Sequence, residues 1–177
     1  RSIMLADSNF FNVFSFSLIK GDPHQALLDP NSIVISQTVA NELFGNEEPI
    51  GKTVTINHNQ EVTVTGILAD IPVNSTLQFD CVAPLTTNEV RGWLGENLWR
   101  GSFCNSYIKL RADADVEALK PQLNVLMDKY VSETEKGNIL ILPLKEYYDK
   151  MTGQVKYAHI MLLVALGILI IAIINFT

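Results

Sequence analysis

The chain has 177 residues, with 13 Lys and Arg against 19 Asp and Glu, and a formal net charge of −6. Apolar residues make up 47% and charged residues 18%, which excludes a disordered chain. Two cysteines are too few for a disulfide scaffold, and Lys and Arg are too sparse for a basic nucleic-acid binder.

Residues 8–14 (SNFFNVF) are expected to form one or two helical turns, and residues 15–19 (SFSLI) a strand stopped by Gly21-Asp22-Pro23. Ile33, Val34 and Ile35 read as a short strand after the turn at Asp29-Pro30-Asn31. Ser36 is placed to cap a helix running to Phe44, because a hydroxyl there can accept an otherwise unpaired first-turn N–H. Val39, Ala40, Leu43 and Phe44 are expected on its buried face, and Gly45 is placed to end it in the left-handed conformation.

Residues 53–57 and 61–68 alternate apolar residues with threonine and predict a hairpin, with Val62, Val64 and Leu68 on one face. Residues 77–83 (LQFDCVA) alternate too, placing Leu77, Phe79, Cys81 and Ala83 together. A strand–helix–strand pattern follows. Its strands are expected at Ser106–Leu110 and Ile139–Leu144. Its helix is expected to start within 115–120 and run to about Val131, with the regular part beginning close to Pro121.

From Ile160 to Thr177 no residue is charged, and only Gly167, Asn175 and Thr177 are not apolar. As a helix this stretch spans about 27 Å, close to the roughly 30 Å of a bilayer's hydrocarbon core. It is apolar all round rather than along one stripe, so a membrane span is preferred over a buried core helix. Ile160, Leu163, Leu166, Ile170 and Ile174 are then membrane-embedded. The run reaches the last residue, and the chain opens with RSIMLAD rather than a leader, so it is expected to be a piece of a longer protein.

Candidate chemistry is thin. Gly45 through Thr53 (GNEEPIGKT) looks like a phosphate-binding GxxxxGK[ST] loop, but five residues separate Gly45 from Gly51, a strand rather than a helix is expected after Lys52, and Glu47 and Glu48 would repel an anion. The plainer expectation is a helix stop, a turn and a strand start, with Gly21, Gly45 and Gly51 as structural turns. His24, His58 and His159 lack metal-ligand spacing. Cys81 and Cys104 each read as a buried free thiol, with a disulfide between them as the alternative. No GxSxG elbow appears. Asn74-Ser75-Thr76 matches a glycosylation sequon and equally a turn after Pro72. Trp93 and Trp99 lie in the loop GWLGENLWRGSF, either as a lid over the core or as a candidate partner surface. No catalytic, cofactor-binding or metal residue is assigned.

One ordered set of short blocks carries a resemblance. It runs through Phe14-Ser15-Phe16, Lys20-Gly21-Asp22-Pro23, Asp29 through Ser36 (DPNSIVIS), Leu43-Phe44-Gly45 and Pro49-Ile50-Gly51-Lys52. It continues through Val62 to Ile67 (VTVTGI), Pro72, Asn74-Ser75 and Leu77 to Asp80 (LQFD). Trp99, Tyr107 to Leu110 (YIKL) and Ile170 to Phe176 (IIAIINF) complete it. Their order and spacing resemble the MacB-like periplasmic core domain of FtsX-like ABC transporter permeases.

The resemblance implies an α+β, two-lobed extracytoplasmic domain followed by the start of a transmembrane helix. A porter-like α/β lobe would comprise about 1–50 and 105–150, and an inserted β-rich lobe about 51–104. Residues 151–159 would be a juxtamembrane hinge, and 160–177 the beginning of the span. It also implies a non-catalytic domain without cofactor, in the periplasm of a cell whose inner membrane holds the permease. The implied partners are a separate cytoplasmic ATPase, a second permease copy, the membrane, and a periplasmic partner or substrate. The alternative is a membrane-anchored sensor or interaction domain with no ATPase.

Overall fold

In a computed structural model of the protein, residues 1–56, 59–86, 104–131, 139–147 and 154–176 are described. The chain divides into two units, Arg1–Asp115 with Tyr130–Glu135, and Val116–Lys129 with Lys136–Thr177.

The first unit is built on a six-stranded mixed sheet. Its strands are β1 (Ile3–Ala6), β2 (Leu18–Lys20), β3 (Ser32–Ser36), β4 (Thr53–Ile56), β5 (Gln60–Leu68) and β6 (Cys81–Pro84). The order is β1-β6-β3-β5-β2, with β4 also on β5. β1 runs parallel to β6 and β3 parallel to β5; β3–β6, β2–β5 and β4–β5 are antiparallel. Central β3 is buried along its whole length, which explains its uninterrupted apolar run Ile33-Val34-Ile35.

Both faces of the sheet are covered. On one, Val34, Leu68 and Val82 pack with Ala6, Ala26, Leu27, Phe79 and two residues of helix α1 (Phe10–Val13), Phe10 and Phe11. Phe10 is the hub of the aromatic set, with Phe11, Phe14, Phe16 and Phe79 at ring-centroid distances of 5.2, 5.1, 5.6 and 5.8 Å. On the other face, Ile33, Ile35, Val62, Val64, Ile67 and Cys81 pack under Val39 and Ala40 of helix α2 (Gln37–Phe44). Each fully buried aliphatic side chain stabilises by about 1.5–3 kcal/mol.

The ends of α2 follow the sequence reading. Ser36 Oγ accepts from Val39 N at 3.3 Å, and Asp70 adds a second clasp, accepting from Thr38 N and Thr38 Oγ1 at 3.0 and 2.9 Å. Gly45 closes the helix with φ of 59° and ψ of −117°, a positive-φ conformation suited to glycine but outside the left-handed helical region expected there. Leu43, however, is 57% exposed: it points away from the sheet while Phe44 packs against it.

Several expectations are corrected. The strand expected at 15–19 forms only at Leu18–Lys20, because Phe14 and Phe16 turn into the aromatic cluster. In β5 the pairing with β3 slips between Val64 and Gly66, leaving Thr65 as an extra residue. A bulge reverses which face later residues meet. Ile67 therefore joins Val62 and Val64, and Leu68 goes to the opposite core. Thr65 Oγ1 donates to Ala26 O at 2.7 Å and fixes that kink. Phe79 and Cys81 also belong to opposite cores, since regular strand geometry begins only at Cys81.

The segments 106–110 and 139–143 take no strand conformation, and 144–147 is helical. Neither segment has a ladder partner among the described residues, and alternation alone does not hold an extended chain. Tyr107 instead packs edge-on against Phe14, centroids 5.1 Å apart. The boundary expected at residue 50 does not divide the sheet: β5 and β6, placed in the insert, lie on either side of β3.

In the second unit, helix α3 (Val116–Tyr130) starts five residues before Pro121, which therefore lies inside it. None of its residues is buried; Leu119, Leu123 and Met127 are half-buried at a spacing of four. The last helix, α4 (Gln154–Asn175), is 22 residues long. It takes in the latter part of the stretch expected as a hinge at 151–159.

Candidate functional site

The loop that looks like a phosphate cradle is closed by its own charges. Lys52 Nζ pairs with Glu47 and lies 5.1 Å from the centre of the Phe44 ring. Lys20 Nζ pairs with Glu48 at 2.5 Å. The hydrogen bond and charge of Lys52 hold the Glu47 carboxyl below its ordinary range, and the hydrogen bond from Lys20 does the same for Glu48. Both glycines flanking the loop have positive φ, 59° at Gly45 and 82° at Gly51, as turns require. With the helix before the loop and β4 after it, no helix N-terminus faces a phosphate.

Gly21 is demanded more strictly. Its φ is 96°, and a Cβ there would meet Thr65 O at 2.5 Å. It lets the chain turn against the bulge of β5.

Among the described residues, no group of three or more His, Cys, Asp or Glu could hold a metal ion. Cys81 is buried and free, as expected; Cys104 is free but exposed, which corrects the buried thiol expected there. Burial, then the neighbouring Asp80 charge, pushes the Cys81 thiol up to about 11, the opposite of an activated nucleophile. Asp80 is held below its ordinary range by the backbone N–H of Ser2, which it accepts at 2.8 Å. Trp93, Trp99 and His58 lie outside the described residues. The sequon falls in a braced turn, where Gln78 Nε2 donates to Pro72 O and Ser75 O at 2.8 and 3.0 Å. Val73 at its tip is 98% exposed.

A feature absent from the sequence reading lies at the carboxyl ends of the parallel pair β1 and β6. There Ala6, Leu27, Leu28, Pro84 and Leu85 line a depression of about 150 Å³ with Asp7 beside them. Parallel pairing of residues as distant as Ile3 and Cys81 leaves no local signal, so sequence patterning could not place it.

The C-terminal helix has the surface of a membrane span. Tyr157–Asn175 has a mean hydropathy of 2.7 and is long and apolar enough to cross a membrane. Ile160, Leu163, Leu166, Ile170 and Ile174 are all exposed. These five share one side of the helix, and Met161, Leu162, Ile168 and Leu169 on the remaining sides are exposed too, so the apolar surface runs all round.

Fold and surface together define a mixed α/β domain joined in one chain to a helix of membrane-spanning length. The family described as MacB-like periplasmic core domain matches residues 1–126, and the chain belongs to it. It is a periplasmic domain of the MacB-like ABC transporter permease family. Among solved structures it is similar to a domain of a protein assigned as a permease from Porphyromonas gingivalis. That match has 25% identity and a TM-score of 0.55, covering 74% of this chain and 54% of the other. The periplasmic region of MacB from Actinobacillus actinomycetemcomitans matches at 18% identity and TM-score 0.49, covering 82% and 62%. The extracellular domain of the noncanonic ABC-type transporter YknZ from Gram-positive bacteria matches at 23% identity and TM-score 0.39, covering 54% and 48%. The chain thus spans about half to three fifths of the length of these structures. No curated protein sequence matches it.

Proposed function

We propose that this chain is the outer domain of a permease subunit in a bacterial inner membrane. Membrane helices driven by a separate cytoplasmic ATPase would change its posture, and it would pass that movement to a periplasmic partner or substrate. The domain performs no chemistry of its own in this reading. The observation that carries it is a family match over residues 1–126 followed in the same chain by the apolar helix at Tyr157–Asn175.

Residues 1–150 then stand outside the membrane, 151–159 connect, and 160–177 enter the bilayer through Ile160, Leu163, Leu166, Ile170 and Ile174. A porter-like lobe of about 1–50 and 105–150 with an inserted lobe of about 51–104 is proposed with it, the two contributing to one sheet in which β5 and β6 flank β3. Two permease copies would pair, giving the ATPase two halves to draw together. Trp93 and Trp99 remain candidates for the partner surface.

The test is purification of the full-length parent protein in mild detergent, scored for ATPase activity. A co-purifying soluble ATPase, silenced by replacing its own phosphate-binding Lys, is expected. A parent protein that repeatedly purifies without ATPase would move the reading to a membrane-anchored sensor.

A further inference from the structure

The two edges of the sheet are built differently. The β2/β4 edge is broken into two short strands separated by Gly21 and Gly51, and it carries Lys20 and Lys52. Short strands, breaks and lysines are how proteins keep a free edge from pairing. The β1 edge, Ile3-Met4-Leu5-Ala6, has no charge, no proline and no bulge.

Its hydrogen bonds show which groups stay open. Cys81 N donates to Ser2 O at 3.1 Å and Leu85 N to Ala6 O at 2.8 Å. In a parallel ladder the N–H and C=O of one residue face the same side. Ser2, Met4 and Ala6 therefore face β6, and Ile3 and Leu5 turn theirs to the open edge. Among the described residues β1 pairs with β6 alone. The strand runs directly into the depression lined by Ala6, Leu27, Leu28 and Leu85, where Leu28 is 60% exposed.

Charge indicates the occupant. Residues 1–86 hold three Lys and Arg against nine Asp and Glu, so this stretch carries the chain's whole net charge of −6. Its three cations, Arg1, Lys20 and Lys52, are already paired with Glu42, Glu48 and Glu47. Asp7 lies in the lining of the depression, and Asp29 follows Leu28 in the chain. Each uses Oδ1 to accept a backbone N–H two residues on, from Asn9 and Asn31, both contacts staying within its own turn.

We propose that the open edge of β1 and the depression at its end form a docking groove for an extended, basic segment of a periplasmic protein partner. The segment would add as a strand along Ile3 and Leu5, seat one apolar side chain against Leu28, and bring Lys or Arg to Asp7 and Asp29. Main-chain bonds would supply affinity, and the depression and carboxylates selectivity. The proposal rests on the reading of an outer domain that meets a periplasmic partner, and it is tested without the ATPase.

The experiment titrates the full chain in detergent micelles with a fluorescent seven-residue peptide of alternating Lys and Val, using the Glu/Val peptide as control. Leu5→Pro removes an outward N–H and leaves the ladder to β6 intact, as proline at an open edge does. Asp7→Asn and Asp29→Asn keep the turn bonds and remove the charge. Binding of the Lys peptide alone is expected, weakened about tenfold by Leu5→Pro and severalfold by the paired Asn changes, with slower amide exchange at Ile3 and Leu5 in the complex. No binding at millimolar peptide would overturn the proposal. So would binding that Leu5→Pro and Leu28→Asp leave unchanged, which would be charge attraction without a groove. Loss of ATPase co-purification with intact peptide binding would instead count against the permease reading alone.

Discussion

Two glycines and one thiol give the sharpest residue-scale tests. Gly21→Ala places a Cβ 2.5 Å from a backbone oxygen at a φ of 96°, so the strand or the bulge must shift. Gly45→Ala adds a methyl where nothing lies within 4 Å, so its cost is confined to a backbone with φ of 59° and ψ of −117° that side chains rarely adopt. Urea unfolding of the chain in detergent is expected to show the larger loss for Gly21→Ala; equal losses would deny the close approach at Thr65.

Cys81 and Cys104 separate by reactivity. At pH 8 a maleimide should label exposed Cys104 and spare Cys81 until the fold opens. The raised thiol also has a sign. The unfolded chain ionises first, so the stability linked to Cys81 is complete below about pH 9 and declines as pH rises toward 11. For Asp80 the sign is opposite: its lowered carboxyl stabilises the fold above the usual carboxylate range and is lost as pH falls through its folded value. Asp80→Asn should flatten the acid limb of a stability–pH curve, and an unchanged limb would show that the clasp to Ser2 carries little.

Elements were legible in the sequence wherever the signal was local. Ser36, the apolar run to Phe44 and Gly45 each act within a few residues, so α2 could be read to its ends. Ser36→Ala should cost about 1 kcal/mol, less if Asp70 at Thr38 compensates. The hairpin of β4 and β5 was legible for the same reason. Its bulge was not, because Thr65 is displaced by a bond to Ala26 O, 39 residues away in sequence. The alternating segments 106–110 and 139–143 failed in the other direction: they have a strand's pattern and no ladder partner among the described residues.

Helix α4 was the easiest element to read, since no fold is needed to see a helix that is apolar all round. A charge near its centre is expected to cost about 2.5–3.5 kcal/mol of insertion. Leu166→Arg should therefore move the chain from the carbonate-resistant to the extractable membrane fraction, while Leu43→Arg on exposed α2 should not. Full resistance of Leu166→Arg would argue against a bilayer around this helix.

At the scale of the molecule, membership of the family was readable from the order of many short blocks, none specific alone. What the blocks did not convey was how the sheet is shared. β3 lies between β5 and β6, so residues on both sides of the expected lobe boundary form one core. The depression at β1 and β6 was equally hidden, because its walls come from residues 6–8, 27–28 and 84–86, joined only by long-range pairing.

In the proposed function this domain moves when a distant ATPase works. The most direct measurement is the distance between two copies in the full-length complex, with spin labels on Val73→Cys and with Cys104→Ser removing the exposed native thiol. Val73 is almost wholly exposed on a braced turn, so the label reports the position of the domain rather than loosening it. The distance distribution is predicted to shift between nucleotide-free and ATP-trapped states, and to stop shifting when the ATPase's phosphate-binding Lys is replaced. An identical distribution in both states, in a complex that still hydrolyses ATP, would contradict the claim.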